Sequence, residues 1–153
     1  MNEKIKSIVT KTPDDWHLHL RDSPIIDKVF PYSYLNYARA IIMPNLEPPI
    51  ITFAQAMHYY KKIKALVKSK NKFEPLMTLF LSEDTKAEDI KDGVNSGIIK
   101  AIKFYPQGAT TNSSGGIKKI SKIYSLLEKL PYLNMPLLIH GESSNPQIDI
   151  YDR

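Results

Sequence analysis

Four nitrogen-bearing side chains stand out by type and spacing. His17 and His19 are two apart in Trp16–His17–Leu18–His19–Leu20, an alternating stretch that reads as extended chain. Side chains at i and i+2 of a strand share a face, so two imidazoles there can chelate one divalent cation. A pair of exposed histidines that merely alternate is the plainer alternative. His140 follows an apolar run at 136–139, where a lone histidine is either a ligand or a satisfied structural residue. Lys103 lies near the end of another apolar run, 98–104. Burying its charge is costly, so it reaches solvent at a strand end or its amine is chemically used. Lys100 is three residues earlier and belongs on the opposite face. His58 sits mid-helix beside Tyr59 and Lys61 and reads as a surface residue.

These residues need elements to position them. Apolar runs at 5–9, 16–20, 39–43, 75–81, 98–104 and 136–140 read as strands. Their apolarity is mostly continuous, as in parallel strands buried on both faces. Helical spacing follows an N-cap at Thr52, with Ala56, Tyr59, Tyr60 and Ile63 on one side, up to about Lys70. Further helices are expected over 25–30, ended by Pro31; over 82–96, stopped by Gly97; and over 117–130, ended by Pro131. Residues 45–49, with Pro48 and Pro49, must form a loop, and 107–116 is a polar, glycine-rich loop. Strand and helix alternate, which points to an α/β fold with a parallel sheet. Ligands in such folds gather at the C-terminal ends of the strands. His17, His19, Lys103 and His140 fall at the ends of three strands, Asn45 at the end of a fourth, and Arg21 continues the face of His19.

The chain has 153 residues, 42% hydrophobic and 24% charged. That composition excludes a disordered or collagen-like chain and suits one domain with a sizeable core. It is too short for a complete large α/β barrel of about 250 residues. The net charge is +5, but the lysines are spread along helix faces, as in Lys61, Lys62, Lys64 and Lys68, so no nucleic-acid partner is expected. Cysteine is absent, which rules out disulfides and thiolate metal sites. No apolar stretch reaches the roughly 20 residues of a membrane span, and no signal peptide is visible. A cytoplasmic setting, without a membrane partner, is the expectation.

The segment Pro13–Asp14–Asp15–Trp16–His17–Leu18–His19–Leu20–Arg21 resembles the metal-binding opening of dihydroorotases of the enterobacterial type. Further matches follow in order. They are Ala40–Ile41–Ile42–Met43–Pro44–Asn45, then Lys103–Phe104–Tyr105–Pro106 with Ala109–Thr110–Thr111–Asn112–Ser113–Ser114, then Met135–Pro136–Leu137–Leu138–Ile139–His140–Gly141–Glu142. An H-x-H pair alone would indicate only the wider amidohydrolase superfamily. The resemblance implies a (β/α)8 TIM barrel of metal-dependent hydrolase type with two zinc ions at its mouth. By residue match, His17 and His19 would bind the more buried zinc and His140 the second. Lys103, carboxylated by CO2, would bridge them. The ions would lower the pKa of a bridging water, which would attack the ring amide carbonyl. Arg21 and Asn45 match positions that hold the substrate carboxylate, an arginine suiting that task by its two-pronged donors. His19 and His140 would also face substrate. Thr110 and Thr111 match a mobile loop that closes over it, with Gly108, Gly115 and Gly116 suited to a hinge.

The family reaction interconverts N-carbamoyl-L-aspartate and L-dihydroorotate plus water, in pyrimidine biosynthesis. Known members are considerably longer. They supply another zinc-binding histidine and a general-base aspartate from later strands. Asp149 and Asp152 do not match that aspartate, so no catalytic acid–base residue is expected within this chain. The expectation is therefore that residues 1–153 are the N-terminal part of a single barrel domain, about the first five of eight strands. Alone, such a piece would be inactive and poorly folded. The full-length form would act on a small molecule and could be a homodimer. Two alternatives remain at this point: another cyclic amidohydrolase of hydantoinase type, and a non-catalytic scaffold derived from a dihydroorotase.

Overall fold

The computed structural model describes residues 7–68 and 72–152. Five strands form one parallel sheet: β1 (Asp14–Leu18), β2 (Arg39–Ile42), β3 (Glu74–Phe80), β4 (Ile99–Phe104) and β5 (Leu137–Ile139). Their spatial order is their chain order. Each neighbouring pair is parallel, with Leu18 beside Ile42, Ile42 beside Met77, Phe80 beside Lys103, and Phe104 beside Ile139. Sequential parallel strands joined by helices are the pattern of a (β/α)8 barrel, and the chain forms a curled part of one. The expectation of five barrel strands holds.

Helices α1 (Ile26–Val29), α2 (Pro31–Tyr34), α3 (Phe53–Leu66), α4 (Ala87–Ser96) and α5 (Tyr124–Leu127) fill the connections. The strand faces turned to them carry Ala40, Ile42, Met77, Leu79, Leu81 and Ile102. These pack with Ala56, Tyr59 and Ile63 of α3 and Ile90 of α4 in one buried cluster. Alternate residues of the same strands, Ile41, Met43 and Leu76, form a separate cluster with Leu138 on the other face. Both faces thus carry apolar residues, which explains the continuous apolar runs.

Local signals set several boundaries. Thr52 caps α3 with a reciprocal pair: Gln55 N donates to Thr52 Oγ1 at 3.3 Å, and Thr52 N donates to Gln55 Oε1 at 2.9 Å. Gly97 ends α4 in the left-handed region, φ 71°, where a Cβ is disfavoured. Residues 43–50 run as a loop without helix or strand.

Other boundaries differ from the sequence reading. The helix expected before Pro31 is present as α1, which ends with Phe30 as its cap, but Pro31 also opens α2 at its first position, a place where proline loses no hydrogen bond. Ile5 lies outside the described residues, and Ser7 to Val9 are not in a strand. The helix from Thr52 ends at Leu66, and Lys70 lies outside the described residues. α4 starts at Ala87 rather than 82 because Ser82 and Thr85 turn the chain first: Ser82 N donates to Thr85 Oγ1 at 2.9 Å, and that hydroxyl donates to Phe80 O at 3.2 Å. Such local bonds compete with helix. The helix expected over 117–130 is reduced to a 3-10 turn, Ile120–Ile123, and α5. Ile117 is taken by a bridge to Pro106, with Ile117 N donating to Tyr105 O at 2.9 Å and Gln107 N to Ile117 O at 3.2 Å.

Gly93 explains how closely α4 approaches β4. A Cβ placed there would stand 2.4 Å from Ile99 Cγ1 and 2.8 Å from Ile99 Cβ. Gly93→Ala is expected to destabilise the fold by about 1–3 kcal/mol through overpacking, outweighing the roughly 1 kcal/mol helix preference of alanine. Urea denaturation measures it, and an unchanged or raised midpoint would refute this packing account.

Candidate metal and substrate site

The sheet register puts the singled-out residues on one face. Leu18 pairs with Ile42, whose side chain belongs to the helix-side core. His17 and His19 flank Leu18 and therefore turn to the opposite face. Lys103 pairs with Phe80 and with Leu138, and Leu138 packs in the cluster of that opposite face. His140 is two residues beyond Leu138, and its N–H donates to Phe104 O at 3.0 Å. All four stand at or just past strand C-terminal ends. Lys100 is exposed while Lys103 is buried, as their spacing implies, and His58 is exposed on α3.

A bulge adjusts β1. Between Asp15 and Leu18 this strand spends three steps against two on β2. Bulges re-aim side chains and recur beside functional sites. His17 N donates to Asp15 Oδ1 at 2.9 Å within it. The result brings His17 Nε2 and His19 Nε2 to 3.1 Å. Two nitrogens bound to one tetrahedral ion at about 2.0–2.1 Å would stand roughly 3.3 Å apart, so the pair fits a shared cation. Both side chains are largely exposed, yet partial desolvation, reinforced by the charges of Lys103 and His140, holds His17 below the ordinary imidazole range. Partial desolvation also lowers His19, with Arg21 and His17 adding to the effect and the Asn45 side chain opposing it. Neutral imidazoles are the form that binds metal.

Lys103 is 3% exposed. Its Nζ lies 5.1 Å from the Tyr105 ring centroid, and no carboxylate forms an ion pair with it among the described residues. Burial pulls the amine below its ordinary range. His140 Nε2 is 2.9 Å from Glu142 Oε2. Among the described residues, no group of three or more His, Cys, Asp or Glu side chains is arranged to hold a metal ion. A metal here would therefore use the histidine pair with Lys103 converted to an oxygen ligand, or groups from outside this chain.

Arg21, Asn45 and the 107–116 loop form one hydrogen-bonded unit. Arg21 Nη1 donates to Asn45 O at 2.9 Å. Asn45, 1% exposed, donates from Nδ2 to Thr111 O at 2.8 Å. Asn112 Nδ2 donates to Asn45 O at 3.1 Å. Thr110 is tied within the loop, its N–H donating to Ser113 Oγ at 2.9 Å and its carbonyl accepting from that hydroxyl at 2.6 Å. Arg21 has φ 60° and Asn112 φ 54°, a region unusual for residues other than glycine. Tyr59 OH donates to Arg21 O at 3.1 Å and so anchors that strained position from α3. Asn112, Tyr59 and Tyr105 were not among the sequence-predicted site residues. The i+2 spacing of Tyr105 from Lys103 was a usable signal; the others depend on non-local hydrogen bonds.

A parallel barrel sheet with imidazoles, a buried amine and a guanidinium at its strand ends is the arrangement of a barrel hydrolase. Comparison of sequences agrees: the pattern of the Amidohydrolase family matches residues 12–153, and the chain belongs to that family. It is 48% identical over 149 residues to a dihydroorotase of Agrobacterium fabrum and 47% identical to one of Chelativorans sp.. Each match covers 97% of this chain and 43% of the relative. Among solved structures, it resembles Saccharomyces cerevisiae dihydroorotase in complex with 5-fluoroorotic acid, with TM-score 0.79 and 31% identity over 90% of this chain and 38% of that one. Campylobacter jejuni dihydroorotase gives 0.77 and 37%, over 88% and 39%. An Arthrobacter aurescens L-hydantoinase shares the fold, at TM-score 0.65 and 12% identity. No helix among the described residues is long and apolar enough to cross a membrane.

The lowered imidazoles make a signed prediction. In metal-free protein, NMR titration should place the His17 and His19 midpoints below 6.5. The unfolded chain then takes up protons first as pH falls, so both residues erode stability from about pH 6.5 downward. A midpoint at or above 6.5 for either would contradict this partial desolvation and the influence of the neighbouring cations.

Proposed function

We propose that this chain is the N-terminal part of one dihydroorotase barrel, acting on N-carbamoyl-L-aspartate and L-dihydroorotate in pyrimidine biosynthesis. The observation that carries this reading is the single concave face that holds a 3.1 Å histidine pair, a buried amine and the Arg21–Asn45–loop unit. The named dihydroorotase relatives, nearly half identical across the chain, support it. The likeness to the hydantoinase is of fold alone, so that alternative has no further support.

In this reading His17 and His19 would hold one zinc and His140 a second, with Lys103, once carboxylated, as an oxygen ligand. The lowered Lys103 amine favours that modification, because only the neutral amine forms a carbamate with CO2, losing one proton as the N–C bond forms. Two zinc ions, when bound, supply Lewis-acid activation of a carbonyl and of water. The protein residues do the positioning. Arg21 offers its guanidinium to the substrate carboxylate. Asn45 orders Arg21 through its carbonyl and the loop through its amide, which places Thr110 and Thr111 over the bound ligand. His19 and His140 border the same space. The general base and a further zinc ligand come from outside residues 1–153. The partner is a small molecule and the setting cytoplasmic.

Two outcomes test the proposal. In the full-length protein, Arg21→Ala should raise KM for L-dihydroorotate about 10–100-fold, the loss of a charge-assisted hydrogen bond, with zinc content unchanged; His17→Ala should lower zinc content by elemental analysis. Residues 1–153 expressed alone should show no turnover of dihydroorotate above a no-protein control. An Arg21→Ala enzyme with wild-type KM would remove the substrate assignment, and turnover by the short polypeptide would remove the division of catalytic groups.

A further inference from the structure

Tyr105 is fully buried at the mouth of the sheet, one residue past β4, and its hydroxyl has no hydrogen-bond partner among the described residues. Its ring stacks on Phe80 at 5.0 Å and lies 5.9 Å from the His140 ring. Lys103 Nζ stands 5.1 Å from its centroid, and the Arg21 charge also bears on it. Buried hydroxyls without a partner are few in folded proteins, because each keeps its desolvation cost. For packing alone, phenylalanine would serve as well. The two charged groups that bear on the ring are both cations. The missing partner is therefore an acceptor, and one favoured by positive surroundings.

We propose that the Tyr105 hydroxyl donates a hydrogen bond to an anionic carboxylate-type oxygen that enters the site on ligation. Two sources share that chemistry: a carboxyl group formed on Lys103, and the carboxylate of the bound substrate. The inference rests on the function proposed above and assigns Tyr105 a positioning role in it.

The test compares wild type with Tyr105→Phe in the full-length protein. Melting temperature is measured without metal, then with zinc and bicarbonate, then with L-dihydroorotate added; zinc content and the dissociation constant for dihydroorotate are read alongside. Without metal, Tyr105→Phe should melt at or above wild type, because an unpartnered hydroxyl has been removed. With ligands its gain should fall short of the wild-type gain. A shortfall already present with zinc and bicarbonate, together with reduced zinc retention, assigns the acceptor to Lys103. A shortfall seen only with dihydroorotate, with about tenfold weaker binding and full zinc content, assigns it to the substrate. Equal gains in the two proteins would overturn the proposal. So would a Tyr105→Phe protein that is already unstable or unfolded without metal, since that marks a structural hydroxyl. A wild-type protein that responds to neither addition would instead refute the metal-dependent reading beneath it.

Discussion

Desolvation of one amine organises this site. Lys103 is carried by β4 onto the same face as the histidines of β1, 3% exposed and without an ion-paired carboxylate among the described residues. A charged ammonium is poorly accommodated there, and burial shifts the balance toward the neutral amine. The exposed imidazoles of His17 and His19 on the same face are likewise shifted toward their neutral form, by partial desolvation and by the neighbouring cations. Loss of a proton from any of these three groups frees a nitrogen lone pair, the form that binds a cation and, for the amine, the form that reacts with CO2.

The rim is built differently. Its polar groups are tied together through Asn45, whose carbonyl receives Arg21 and Asn112 while its amide nitrogen reaches Thr111, and whose Oδ1 has no partner among the described residues. Two segments far apart in sequence, Arg21 and the 107–116 loop, are held by one buried residue. The base of the loop is closed independently by the Pro106–Ile117 bridge. Gly116 must lack a side chain there, since a Cβ would stand 2.5 Å from Tyr105 O. The loop is therefore fixed at both its base and its tip. Arg21 is fixed at its backbone by Tyr59 and at its side chain by Asn45, which holds a residue with positive φ in one conformation.

Much of this was legible in the sequence. Strand and helix order followed from apolar runs and breakers, and the strand-end positions of His17, His19, Lys103, His140 and Asn45 followed from that order. Lys100 and Lys103 separated by face, as a spacing of three requires. The helix over 117–130 was misread for a physical reason: Ile117 was already committed to a bridge with Pro106 that no local pattern announces. Pro31 was read as a stop, and the chain uses it both to end α1 and to start α2. The β1 bulge was equally invisible, though it sets the final approach of the two histidines.

What the residues alone determined was the inventory and its order along the chain: parallel strands, the element each reactive side chain ends, and the likeness to a family. These depend on periodicity and on neighbours within a few positions. Only the tertiary structure decided which groups are desolvated, which are hydrogen-bonded and which are left without a partner. Those states depend on residues brought together across the sheet, as Asn45 meets Thr111 and Tyr105 meets Phe80, and burial is a property of that assembly rather than of any segment within it.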